Sequence, residues 1–145
     1  MSSQDPAAEA KRAVGIAAAA MAESGWVLGL GTGTTTAYAI EELGRRMREE
    51  GAKFVGVPTS HTSEFLAREQ GIPIVTLYDV ERINLAIDGA DEVDQHRNLV
   101  KGSGAAHTKE KIVDSFADIF VAVIDDTKIV SRLGETMGVP IEVLA

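Results

Sequence analysis

INLAIDGADEVDQHRNLVKGSGAAHTKEKIV, residues 83–113, sets an apolar run against an abrupt cluster of charge. Ile83–Ile87 reads as a strand buried on both faces, because its apolar residues run on without alternating with polar ones. Asp88, Asp91, Glu92 and Asp94 crowd its end. Lys101 and a Gly-Ser-Gly turn follow, and a helical pattern runs from about Ala105 to Ala117. Charge at the carboxyl end of a buried strand is costly to a core, yet open α/β sheets bind their ligands there.

The same alternation extends in both directions. Strands are expected at Trp26–Gly31, Lys53–Pro58, Ile72–Leu77 and Ile119–Ile124, with helices from about Thr35 to Glu50 and from Ser63 to Gln70. Short β-rich runs separated by helices predict βαβ units: an α/β fold with an open, mostly parallel sheet and helices on both faces. The 145 residues fit one domain, and a chain of that size can bury roughly 68–70% of its unfolded surface. No repeat or linker interrupts it.

Composition excludes several classes. The apolar fraction of 45% and charged fraction of 25% are ordinary for a globular protein. A net charge of −8 argues against nucleic acid or an anionic membrane as a partner, though not against a local basic pocket. Absence of cysteine removes disulfides, thiolate metal sites and cysteine nucleophiles. Lys11–Gly25, KRAVGIAAAAMAESG, resembles a signal peptide only faintly. A core helix fits better: Ser3 or Asp5 can cap it, Pro6 suits its first turn and Gly25 its stop. No run approaches the ~18 apolar residues of a membrane span.

Gly29–Ile40, GLGTGTTTAYAI, places glycines and threonines between a strand and a helix. Free N–H groups and the helix dipole favour an anion there, and the threonines add hydroxyl donors. A dinucleotide fingerprint does not fit, because its third glycine falls on Thr36 and its acid falls in the segment VPTS. A phosphomonoester or carboxylate suits the loop better, and a glycine turn without a ligand fits about equally well.

At the charged strand end, Asp88 and Asp91 are the candidates for proton handling beside a lysine. Glu92 and Asp94 read as an acidic, solvated turn. A Mg²⁺ site lacks the expected ligand spacing. Lys101 with the glycine turn offers a cation and backbone donors to an oxyanion. On a helical wheel Ala105, Ile112, Val113, Phe116 and Ala117 share an apolar arc with Glu110 at its edge, where desolvation raises a carboxyl's pKa toward that of a general base. The wheel alone slightly favours a charged surface turn for Lys109 and Glu110. His61, His96 and His107 show no metal-site spacing and read as surface or loop residues. Lys128 in IDDTK is again a charge at a strand's end.

These segments, with GVPTSHTSEFLAREQGIPIV (56–75) and VIDDTK (123–128), together resemble the ribose-5-phosphate isomerase A family from about residue 9 onward. The resemblance implies a Rossmann-like catalytic domain over 1–145. It also implies an aldose–ketose isomerase of the pentose phosphate pathway, interconverting D-ribose 5-phosphate and D-ribulose 5-phosphate without metal or cofactor. By the family's pattern Glu110 moves the proton, Lys101 stabilises the enediolate and Asp88 assists ring opening. Substrate contacts are implied at Thr32, Gly33, Thr34 and Thr35, at Asp88, Gly89, Ala90 and Asp91, at Lys101, Gly102, Ser103 and Gly104, and at Lys128. A cytoplasmic homo-oligomer, dimer or tetramer, is expected.

The chain departs from the family's pattern at Ser103, where glycine is usual, and at His107 and Lys109, where Leu and Arg are commoner. Family members also continue past the region of Val143 into a small α+β lid domain. The expectation is therefore a catalytic domain incomplete at its C-terminus: a piece, one half of a split protein, or a reduced relative. A sugar-phosphate sensor without catalysis and a coenzyme A transferase relative are the alternatives. The first leaves Lys101 and Glu110 without purpose, and the second leaves Asp-Gly-Ala-Asp unexplained.

Overall fold

The computed structural model describes residues 6–143, so the caps expected at Ser3 or Asp5 lie outside the described residues. Helices α1 (Pro6–Ala20), α2 (Thr34–Glu49), α3 (His61–Glu69) and α4 (His107–Ser115) surround a parallel sheet. Its strands are β1 (Val27–Leu30), β2 (Val55–Pro58), β3 (Ile83–Gly89) and β6 (Ala117–Val123). The short β4 (Glu92–Val93) and β5 (Leu99–Val100) form a separate antiparallel hairpin.

The sheet order is β2-β1-β3-β6, and every pairing in it is parallel. The chain leaves β1 for β2 on one side and then crosses to β3 on the other. This reversal of winding opens a crevice at the carboxyl ends of β1 and β3, the place where such sheets bind ligands.

Burial explains the layers. α1 contributes Ala18, Ala19 and the following Ala22, side chains small enough for α2 to lie close with Ala39, Ile40 and Leu43. Leu28, Leu30, Leu85 and Ile87 meet these helices and α3 from the sheet. Arg46 fastens the layer by donating to the Ala19 and Ala22 carbonyls at 2.6 and 2.9 Å, at and just beyond the end of α1. On the opposite face Val113 of α4 packs with Val57 and Ile83. Helices thus cover both faces, as the α/β reading requires.

Three expectations need correction. Ile72–Leu77 is not a full strand: only Ile74 bridges to Gly56 of β2. Pro73 has no N–H to give, and Leu77–Asp79 turns into a 3₁₀ segment. The last helix is shorter than Ala105–Ala117, because Ala105 adopts a left-handed φ of 57° and Phe116 closes the far end. Its apolar arc is also buried only in part. Ile112 and Phe116 are 52% and 45% exposed, while Glu110 and Val113 face inward. No helix among the described residues is long and apolar enough to cross a membrane.

Candidate active site

Two short devices bring distant residues to the crevice. At the end of β1 the chain passes over Asp88 so closely that only glycine fits at residue 31: a Cβ there meets the Asp88 Cγ at 2.3 Å. Beyond β3, the β4–β5 hairpin carries the chain out and back. Asp94 closes its turn by accepting from the His96 and Asn98 amides, both at 2.9 Å. The hairpin returns Lys101 beside the strand it left, where the ammonium donates to the Gly89 carbonyl. Gly102 follows with φ 108°, and a Cβ there would lie 2.7 Å from the His107 Cβ.

Asp88 is wholly buried. Its Oδ1 accepts from the Thr32 and Gly89 amides at 3.0 and 2.7 Å, and its Oδ2 lies 3.1 Å from the Lys101 Nζ. Glu110, 5% exposed, points from the first turn of α4 to within 3.7 Å of the same ammonium. That is an ion-pair distance, too long for a hydrogen bond. Burial raises the Glu110 pKa above the usual carboxylate value and the charge of Asp88 adds to the rise, while Lys101 opposes both. The reading of Glu110 as a surface turn is therefore overturned. Lys109 alone is exposed.

The opposite wall is the start of α2, whose first amides have no intrahelical acceptor. Thr32 is fixed there through its hydroxyl, 2.9 Å from that of Thr59 and 2.7 Å from that of Ser60. One cleft of about 240 Å³ results. Thr32, Gly33, Thr34 and Thr35 line it from the first loop, and Gly89, Ala90 and Asp91 from the end of β3. Lys101, Gly102, Ser103, Gly104, Glu110 and Lys128 complete it, with Asp88 enclosed beneath Lys101. The space is below the roughly 300–1,000 Å³ of drug-sized sites, which favours a small metabolite.

Ser103 meets the glycine turn without a positive φ. Its amide donates to the Asp91 carboxylate at 3.0 Å and its hydroxyl donates to the other oxygen. A serine here thus clamps Asp91.

Several residues of the site carried no usable signal in the sequence. Lys11 of α1 lines the cleft and stands 3.7 Å from Asp125, but nothing distinguishes it within an alanine-rich helix. Asp125 belongs to the same IDDTK motif as Lys128 and was within reach of that reading. Glu92 is not solvated: it is buried, and its carboxylate accepts from the Gly134, Thr136 and Met137 amides and the Thr136 hydroxyl. His107 is not a free surface residue either, since its Nε2 accepts from the Glu142 amide at 3.2 Å.

Comparison with known proteins agrees with this architecture. The family model for ribose 5-phosphate isomerase A (phosphoriboisomerase A) matches residues 55–145. The chain belongs to the ribose-5-phosphate isomerase A family. It is 55% identical over 143 residues to the ribose-5-phosphate isomerase A of Thermosynechococcus vestitus, covering 98% of this chain and 61% of that protein. The Methanothermobacter thermautotrophicus protein of the same name is 56% identical over 122 residues, covering 84% of this chain and 53% of the relative. A D-ribose-5-phosphate isomerase solved in complex with phospho-erythronic acid superposes with a TM-score of 0.87 at 45% identity, over 89% of this chain and 57% of its own. The ribose 5-phosphate isomerase A of Methanocaldococcus jannaschii gives 0.85 at 44%, over 88% and 56%. The chain thus spans between about half and three-fifths of the length of these curated family members.

Proposed function

We propose that this chain forms the catalytic part of an aldose–ketose isomerase acting on D-ribose 5-phosphate and D-ribulose 5-phosphate. The observation that carries the proposal is the arrangement around Lys101: one ammonium flanked by a buried carboxylate on β3 and another on α4, facing the amide-lined start of α2. A sugar α-proton is weakly acidic, so its removal needs a positioned base and a cation at the oxygen that gains charge. Few other chemistries require both at such close range.

In this reading the phosphate rests on the α2 amides, with Lys11 and Lys128 on the same side of the cleft. When Lys101 turns toward the substrate oxygen, it uncovers the Asp88 Oδ2. That oxygen takes the anomeric hydroxyl proton, the bond from C1 to the ring oxygen breaks with its electron pair passing to the ring oxygen, and Asp88 returns the proton there to leave the open-chain aldehyde. Glu110 then removes the C2 proton, the electron pair forms the C1–C2 double bond, and charge develops on O1 beside Lys101. Return of the proton to C1, with the O2 hydroxyl proton passing to O1, gives the ketose. The solved relative bound to phospho-erythronic acid supports a phosphorylated sugar acid as a ligand of matching size for this cleft. Assembly as a dimer or tetramer and a cytoplasmic location belong to the same proposal.

The test is ketose formation from ribose 5-phosphate by the 145-residue chain, with Glu110→Gln and Lys101→Met alongside. Loss of the base is expected to lower kcat by about 10²–10⁴. Loss of the cation is expected to lower it by about 10²–10³. A folded parent that forms no ribulose 5-phosphate refutes catalysis by this chain and leaves binding as its function.

A further inference from the structure

The isomerisation just described uses two of the three carboxyl groups that surround Lys101. The third is Asp114. It stands one helical turn beyond Glu110 on α4, so the two side chains leave the helix on the same face. Its Oδ2 is 3.7 Å from the Lys101 Nζ, the same separation as Glu110. Both Asp114 oxygens are enclosed without a hydrogen-bond partner, and the side chain is 11% exposed.

Asp114 does not reach the substrate cleft. It faces a second hollow of about 570 Å³, walled largely by Leu99, Phe120, Leu133 and Val139. Lys101 lines both spaces and forms the partition between them. The charged and titratable groups around Asp114 are Asp88 from β3, Lys101 from the glycine turn, and Glu110, His107 and Lys111 from α4. From β5 and β6 the hollow receives apolar side chains only. Were all three carboxyls ionised, one ammonium would face three negative charges in a nearly dry space, so one proton is retained among them.

We propose that Asp114 is a positioning residue, a back-side acid whose gain or loss of a proton sets how much of the Lys101 charge is presented to the substrate oxygen. Neutral, it leaves Lys101 free to lean into the cleft. Ionised, it draws the ammonium backward and competes with the enediolate. Burial is the main force that keeps its proton, and the charge of Asp88 adds to it against the pull of Lys101, placing the pKa at about 7. The shift of Lys101 takes effect only where charge has developed on the substrate, so kcat moves and KM does not.

This inference rests on the isomerase reading for its kinetic arm but not for its spectroscopic one. The spectroscopic arm follows the Lys101 Cε resonance in ¹³C-lysine-labelled protein from pH 5 to 9, in the parent and in Asp114→Asn. A step near pH 7 is expected in the parent, and in the variant it is expected to move to lower pH, where Glu110 titrates without Asp114 beside it. The kinetic arm follows kcat over the same range. The parent is expected to lose about three- to tenfold on the alkaline side, and Asp114→Asn to hold its plateau with KM unchanged. Asp114→Ala, with urea midpoints recorded for both variants, guards against a folding defect. A parent without the Lys101 step overturns the inference whatever the activity. So does a variant with an unaltered alkaline limb. If the parent is inert toward ribose 5-phosphate, the isomerase reading fails separately and the Lys101 step alone decides this one.

Discussion

Replacing Gly31 by alanine tests the contact on which the site is built. A Cβ at residue 31 falls 2.3 Å from the Asp88 Cγ and Oδ1 and 2.5 Å from its Cα. Carbon atoms in ordinary contact stand about 3.5–4.0 Å apart, so the deficit is about 1–1.7 Å. Because the Asp88 Cα is among the atoms struck, a change of rotamer cannot relieve the clash, and β3 has to shift away from β1. Overpacking of this kind costs about 1–3 kcal/mol. The same shift strains the bond from the Thr32 amide to the Asp88 carboxylate, a charge-assisted interaction worth about 1.5–3 kcal/mol. A net loss of about 3 kcal/mol is expected. With an m-value of about 2 kcal/mol/M, the urea midpoint followed by circular dichroism falls by about 1.5 M. Gly138→Ala is the control, because a Cβ there meets nothing within 4 Å. A Gly31→Ala midpoint within about 0.3 M of the parent would refute the reasoning, since the clash would then be absorbed without moving the strand.

Two further outcomes concern buried carboxylates of opposite sign. Hydrogen bonds to the Thr136 hydroxyl and amide, then to the Gly134 and Met137 amides, hold Glu92 at a pKa of about 2 against an ordinary 4.5. Its contribution is complete above pH 4.5 and is lost as pH falls through about 2, so the gap between the urea midpoints of the parent and Glu92→Gln should be full at pH 7 and shrink steadily as pH is lowered toward 2. A gap that stays constant with pH counts against this account. Glu110 behaves in the reverse sense: burial raises its pKa, so its ionised form subtracts stability as pH rises above the ordinary value of 4.5. Glu110→Gln should match the parent at pH 4 and unfold at equal or higher urea at pH 7.5; a lower midpoint at pH 7.5 contradicts it.

The legible parts of this molecule were those that a short window can hold. Ile83–Ile87 announced a doubly buried strand through hydrophobicity broken only at Asn84, and α2 showed its buried face in Thr36, Ala39, Ile40 and Leu43 at helical spacing. What escaped was set by long-range pairing. Glu92 is indistinguishable from a solvated acid until residues 134–137 fold over it. Pro73 weakened a strand whose apolar content looked sufficient. In α4 the wheel placed Ile112 and Phe116 inward, whereas the helix turns Glu110 and Asp114 toward Lys101 and leaves those two outside. Local hydrophobicity was outweighed there by an ammonium that arrives through the β4–β5 hairpin, a connection with no periodic signature. Lys11 reaches the cleft by the same kind of tertiary placement.

The Glu92 anchor also has a history in time. Its carboxylate is completed by backbone as far along as Met137, 45 residues later in the chain. Translation at about 5–20 residues per second makes that an interval of roughly 2–9 s. Through that interval the emerging chain holds an acid meant for burial whose set of donors, the first of them Gly134, is still incomplete. Glu92, just past the end of β3, therefore gains these bonds only after β6 has been made, and any slowing of the ribosome between these two points lengthens the time for which it stands without them.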